Sequence, residues 1–154
     1  MDGLAFTKGH GTENDFVLVP DPHGRVDLTA EQVRHLADRR AGVGADGVIR
    51  VVPTHVADEP EVRAQSGLAA WFMDYRNADG SVSEMCGNGT RVFAAYLVRE
   101  GLQAPGDFAI ATRAGVKQVR TVPEGYAVDL GPARVDESDD ARGRGFNAVV
   151  TSHG

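Results

Sequence analysis

The residues with the clearest chemical potential are Cys86-Gly87-Asn88-Gly89, which lead into an unbroken apolar run, Val92–Val98. The run reads as a helix, and the tetrapeptide falls at its start. The first amides of a helix lack intrahelical partners and carry partial positive charge, so they bind anions. The same helix end stabilises a thiolate, and glycine there lets a ligand approach the backbone closely. The pattern offers an ionisable sulfur beside a site for an anion the size of a carboxylate. The competing reading of a lone cysteine, inert burial in apolar packing, stays open on these residues alone.

Other motifs carry less. Gly42-Val43-Gly44-Ala45-Asp46-Gly47 is a literal G-x-G-x-x-G. Dinucleotide binding needs a strand before such a loop and a helix after it. Here a helix precedes and a strand follows, so a tight backbone turn is the reading. Asn88-Gly89-Thr90 matches a glycosylation sequon, but Met1–Phe6 lacks the basic start and apolar stretch of a secretion signal. The five histidines, His10, His23, His35, His55 and His153, form no ligand pair at metal-binding spacing. His10, in a polar segment, is the one candidate base for a Cys–His hydrolase built on Cys86.

The elements that must position these groups follow from patterning. Leu4–Lys8 and Asp15–Pro20 read as strands around a polar turn, Gly9–Asn14. Thr29-Ala30-Glu31-Gln32 fits a capping box, opening a helix over about Ala30–Arg40 with Val33, Leu36 and Ala37 on one face. Gly42–Gly47 is loop, Val48–Val52 a strand ended by Pro53, and Asp58–Gly67 loop. Leu68–Arg76 alternates as a strand, with Trp71, Met73 and Tyr75 sharing a face. Asn77-Ala78-Asp79-Gly80 is a turn by composition. The helix after Cys86 is apolar nearly all round, which places it inside the domain with sheet on several sides, and Gly101 suits its C′ position. Phe108–Thr112, Val116–Val122 and Tyr126–Leu130 read as a meander of strands. Asp136–Gly145 is a charged loop, and Phe146–Thr151 begins a last strand.

Composition bounds the function class. The chain has 154 residues, enough for a core without staples. Valine far outnumbers leucine, which leans toward strands. A net charge of -6 speaks against nucleic-acid and membrane-surface partners. No apolar run approaches the roughly 20 residues of a membrane span. A single cysteine permits neither an intrachain disulfide nor a cysteine-based zinc site, which makes a reducing cytoplasm the expected location.

Three segments together carry a family resemblance. Phe6-Thr7-Lys8-Gly9-His10-Gly11-Thr12-Glu13-Asn14-Asp15-Phe16, Tyr75-Arg76-Asn77-Ala78-Asp79-Gly80-Ser81 and Met85-Cys86-Gly87-Asn88-Gly89-Thr90-Arg91 resemble, in order and spacing, the N-terminal signatures of diaminopimelate epimerases. The Gly42–Asp46 loop is similar to the corresponding loop of that family. The likeness covers Leu4 to Leu130.

The resemblance implies an α+β fold, a curved, mostly antiparallel sheet wrapped round a central helix. The family's chains have two such domains facing across a cleft. Residues 1–154 correspond to the N-terminal domain, with a core over about 1–135, a charged loop at 136–145 and the start of a link at 146–154. The C-terminal domain, the expected partner, is missing, and the exposed cleft wall suits a homodimer. The implied activity interconverts LL- and meso-2,6-diaminoheptanedioate with no cofactor, neither pyridoxal phosphate nor metal. By the resemblance Cys86 is one of two acid–base residues. Asn14 and Asn77 contact the substrate end that is not inverted, and the amides of Gly87 and Asn88 grip the carboxylate at the reacting carbon. The second cysteine of the family has no counterpart here, so the expectation is a half site, inefficient alone. The alternative classes are a stand-alone binding module of the same fold, or a related isomerase such as a proline racemase or a phenazine-pathway enzyme. The Asn14 and Asn77 motifs weigh against the related isomerase.

Overall fold

The computed structural model describes residues 3–131 together with the strands Arg134–Val135 and Val149–Val150. The chain opens with a hairpin of β1 (Thr7–Gly11) and β2 (Asn14–Pro20). Gly11 pairs with Asn14, so Thr12 and Glu13 alone turn the chain. Both have positive φ, 50° and 67°, as a tight hairpin that follows the strand twist requires. The turn is therefore shorter than the Gly9–Asn14 expected from composition, because Gly9-His10-Gly11 is strand.

Helix α1 (Ala30–Ala37) follows, with the expected capping box: Gln32 N–H donates to Thr29 Oγ1, and Thr29 N–H donates to the Gln32 side chain. It stops before the expected Arg40. The Asp38 carboxylate takes the amides of Arg40 and Ala41 at 2.7 and 2.9 Å, giving the chain a local alternative to another helical turn. Strand β3 (Gly47–Pro53) leads through a 3-10 turn, Thr54–Val56, to the short α2 (Pro60–Arg63). That helix lies where the sequence reads as loop. Its N-terminal proline is compatible with a first turn, and one turn is too short for a hydrophobic period to register. Strand β4 (Trp71–Asn77) starts three residues later than the pattern suggested, since Gln65 ties the backbone before it to the preceding turn: Leu68 and Ala69 both donate to its carbonyl. Then come α3 (Gly87–Arg99), β5 (Asp107–Thr112), β6 (Gly115–Val122) and β7 (Gly125–Asp129).

The seven strands form one sheet in chain order, β1 to β7. The parallel neighbours are β2/β3 and β4/β5, the pairs separated by α1 and α3; a parallel connection needs such a crossover. The remaining pairs are antiparallel. Helix α3 packs against β1, β2, β3 and β4, and also against β7 at the other edge. The sheet therefore curls round it, as expected. Phe93, Ala94 and Leu97 are fully buried among Phe16, Leu18, Ile49, Met73, Tyr75 and Ile110 on the concave face. On the convex face, α1 covers Val17, Val19 and Val48, while Val62 of α2 packs with Val52, Phe72 and Ala111.

Between these two outer clusters lies a charged layer. Arg50 and Asp74 face each other across the β3/β4 ladder at 3.0 Å, both buried. Arg50 also reaches Asp21, and Asp74 accepts from Arg76 and Arg113. Burial pushes the Asp74 carboxyl up, but Arg76 and Arg113 outweigh it and hold it below the ordinary carboxylate range. Strands β8 (Arg134–Val135) and β9 (Val149–Val150) pair antiparallel. Val149–Val150 falls inside the expected last strand, whose remaining residues, like the charged loop Asp136–Gly145, lie outside the described residues.

Candidate active site

Cys86 is the N-cap of α3. Its backbone is extended, and its sulfur accepts from the Gly89 amide at 3.4 Å, where a helix more often uses a Ser, Thr or Asp oxygen. The amide and the hydroxyl of Thr90 both reach back to the Cys86 carbonyl at 2.8 Å, pinning the residue from behind. Thr90 is fully buried, so this anchor is shielded from water. Cys86 itself is only partly buried, with the apolar core packed against it. The amides of Gly87 and Asn88, in the same first turn, donate to no group among the described residues. A built Cβ on Gly87 would lie 3.3 Å from Leu130 Cδ1, so the chain leaving β7 comes down beside the helix start.

Asn14 opens β2 directly after the hairpin turn. The hairpin lies against α3 so closely that a Cβ on Gly11 would come 3.3 Å from the Asn88 carbonyl oxygen. This approach brings Asn14 Oδ1 to 3.8 Å from Cys86 Sγ and 3.5 Å from Asn88 Nδ2. Cys86, Gly87, Asn88 and Asn14 are thus brought together, which sets Asn14, expected with Asn77 at the substrate end that is not inverted, beside the sulfur instead.

Asn77 is placed differently. It ends β4 opposite Gly47, its amide side chain donates to Ser81 Oγ at 3.0 Å, and no direct bond joins it to Cys86 or Asn14 among the described residues. The two regions are joined through Asp46. Ala78 N–H donates to the Asp46 carbonyl at 3.2 Å, while Asn14 Nδ2 donates to Asp46 Oδ2 at 2.7 Å. His10 is exposed on β1, paired with Asp15, and makes no hydrogen bond to Cys86; the Cys–His hydrolase reading finds no support.

Four residues of this region were not singled out by sequence reasoning. Asp46 also accepts from the Asp15 amide at 3.1 Å and from Arg39 at 2.9 Å. Asp15 accepts from both ends of the Arg39 guanidinium and pairs with Lys8 at 2.8 Å. The Arg39 bond, with Lys8 and the Asp46 amide, holds the Asp15 carboxyl far below the usual range, and Asp15 in turn raises the already basic Arg39. Tyr75 lies under Gly47, with its ring edge against Phe16 at 5.9 Å between centroids. Burial, then the charges of Cys86, Asp46 and Asp79, push its phenol up to about 12. Lys8 and Asp15 lie inside the quoted Phe6–Phe16 segment and Asp46 inside the Gly42–Asp46 loop, which is the signal that could have marked them; Arg39 reads as ordinary surface charge. Among the described residues no group of three or more His, Cys, Asp or Glu is placed to hold a metal ion, and no helix is long and apolar enough to cross a membrane.

A curled sheet encloses one helix, and a cysteine caps the start of that helix. Among solved structures, a Bacillus anthracis phenazine biosynthesis protein of the PhzF family matches 86% of this chain and 36% of its own, with a TM-score of 0.50 and 23% identity, which shows the shared fold alone. The diaminopimelate epimerase family model matches residues 6–135. Curated diaminopimelate epimerases are similar throughout: that of Thermobifida fusca is 56% identical over 90% of this chain and 52% of its own length. That of Streptomyces coelicolor is 54% identical over 88% of this chain and 47% of its own. The Mycobacteroides abscessus protein is 45% identical over 98% of this chain and 55% of its own. The chain belongs to the diaminopimelate epimerase family, and it spans about half the length of the curated relatives it matches.

Proposed function

We propose that these residues form the N-terminal half of a cofactor-independent epimerase that interconverts LL- and meso-2,6-diaminoheptanedioate, a cytoplasmic step toward lysine and peptidoglycan precursors. The observation that carries this reading is the helix start. The Cys86 sulfur, two unengaged amides and the side chains of Asn14 and Asn88 converge within hydrogen-bonding reach. As a thiolate, Cys86 takes the α-proton and becomes a thiol. The electron pair left behind spreads into the adjacent carboxylate, where the Gly87 and Asn88 amides stabilise the growing negative charge. Inversion then needs a proton delivered to the opposite face by a second acid. The chain has one thiol, so the second group comes from outside these residues, and Asn77 meets the distal end of the substrate across the cleft.

The same single thiol favours a second reading, a diaminopimelate-binding module without epimerase activity. Two measurements on this chain separate the readings. Diaminopimelate should slow alkylation of Cys86 by iodoacetamide under either reading, and a rate unchanged at millimolar ligand refutes both. Slow exchange of the α-hydrogen in deuterium oxide, without efficient inversion, supports the half-site epimerase. Binding with no exchange favours the module, and rapid inversion by this chain alone contradicts the need for a second group.

A further inference from the structure

The sulfur of Cys86 has a donor on one side, the Gly89 amide, and an amide side chain on the other, that of Asn14. Which end of that side chain faces the sulfur decides whether it favours the thiol or the thiolate, since an amide nitrogen donates and an amide oxygen only accepts. The orientation is set by Asp46. An ionised carboxylate has no proton to give, so at 2.7 Å the Asn14 end facing it must be the Nδ2 amine. The oxygen is thereby turned toward Cys86 Sγ and Asn88 Nδ2. Asp46 is itself held from behind: Oδ1 accepts from Arg39, Oδ2 also accepts from the Asp15 amide, and the Asp46 amide donates to Asp15 Oδ1 at 3.1 Å. Arg39 and Lys8 in turn clamp Asp15.

We infer that Asp46 is a positioning residue for the proton-transfer step: it locks the Asn14 amide with its acceptor oxygen toward the Cys86 sulfur, so that a thiol finds an acceptor in Asn14 and a thiolate finds no donor there beyond the Gly89 amide. This rests on the reading of Cys86 as the acid–base group. It adds that the balance between the two sulfur states is set from the Gly42–Gly47 loop, through a side chain that never touches the sulfur. In such a reaction the same sulfur serves as base in one direction and acid in the other, and a locked acceptor supports the acid half of that duty.

The test is the pH profile of Cys86 alkylation by iodoacetamide in the chain without ligand. Asp46→Ala removes both the charge and the acceptor, freeing Asn14 to turn its Nδ2 toward the thiolate. Asp46→Asn removes the charge but keeps an oxygen for Asn14. Both variants should move the profile to lower pH through lost negative charge. Asp46→Ala should move it further, making alkylation at neutral pH faster by a factor on the order of three to ten relative to Asp46→Asn, the effect of one hydrogen bond to a charged group at a partly exposed site. In an Asn14→Ala background that difference should vanish, because a double-mutant cycle isolates the part that passes through Asn14. The other charged groups of the site, Lys8, Asp15, Arg39, Asp79, Arg91 and the Tyr75 phenol, are the same in every arm. Equal profiles for Asp46→Ala and Asp46→Asn, or a difference that survives Asn14→Ala, overturns the inference. Should Asp46→Ala fail to fold, the parent chain carries the test by NMR: a coupling through the hydrogen bond should link the Asn14 side-chain nitrogen to the Asp46 carboxylate carbon, and its absence overturns the inference equally. Ligand protection of Cys86 is not used in either arm, so failure here and failure of the functional reading are told apart.

Discussion

Gly47→Ala is the sharpest test of how β3, β4 and the site are fitted together. A Cβ built on Gly47 lies 2.5 Å from Tyr75 Cε2 and 2.8 Å from the Arg76 carbonyl oxygen. Carbon atoms rest at about 3.5–4.0 Å, so the ring must retreat by about 1 Å. It has nowhere easy to go: Tyr75 is 7% exposed and its edge meets Phe16. The Arg76 carbonyl cannot yield alone either, since Gly47 and Asn77 are paired in the ladder. Overpacking of this kind costs about 3 kcal/mol, the upper end of the usual span. The lost freedom of the unfolded chain returns about 0.7 kcal/mol, leaving a net loss of about 2 kcal/mol. Gly67→Ala is the control. Nothing lies within 4 Å of its Cβ, so only the unfolded-state term acts, and a gain of about 0.5 kcal/mol is expected. Urea titration followed by circular dichroism measures both. In the same Gly47→Ala sample, protection of Cys86 by diaminopimelate should weaken, because the displaced ring and the end of β4 carry Asn77 with them. A Gly47→Ala protein within about 0.5 kcal/mol of the parent, with unaltered protection, would show the argument to be wrong.

Cys86→Ser should abolish alkylation and any α-hydrogen exchange while leaving the urea midpoint close to that of the parent, since a hydroxyl caps a helix well but is a poor base; retained exchange in that variant removes Cys86 from the chemistry. Asp15, held down chiefly by Arg39, and Asp74, whose burial penalty is outweighed by Arg76 and Arg113, both have folded-state values below their unfolded ones. The stability they add is complete above the unfolded value near pH 4 and drains as the pH falls through it, so melting temperatures should decline steadily below about pH 5, and a flat acid limb contradicts the network. Tyr75, pushed up to about 12 by burial and neighbouring charge, should be the last phenol to ionise. Its linked stability is whole below the unfolded value of about 10 and is lost between there and about pH 12. Tyr75→Phe should erase the latest step in the ultraviolet absorbance titration.

Much of this architecture can be read from residue patterns because its elements are locally consistent. The Thr29 capping box, the all-round apolar α3 and the Asn-Ala-Asp-Gly turn each point one way, and the structure agrees. Readings failed where tertiary contacts overrode local preference. Gly9 and Gly11 look like turn residues, but they are strand glycines, small because Val92 and the Asn88 backbone press on them. At α1, a side chain competing for the backbone stopped the helix early. The sulfur, its helix and Asn14 could be anticipated together, since each sits in a motif. The Asp46, Asp15, Arg39 and Lys8 network could not, because charged residues scattered over the first third of the chain give no period to recognise; only folding brings Asp46 to within hydrogen-bonding distance of Asn14.

The strands succeed one another across the sheet in the order they are synthesised, and the final one, β7, completes the enclosure of α3. The ribbon can therefore roll up progressively as it emerges, but the last wrap is what brings Leu130 over Gly87. Until then the Cys86 end of the helix stands without its roof. Thiol accessibility, followed during refolding, becomes a clock for the docking of β7 against α3, with its final tick set by Leu130.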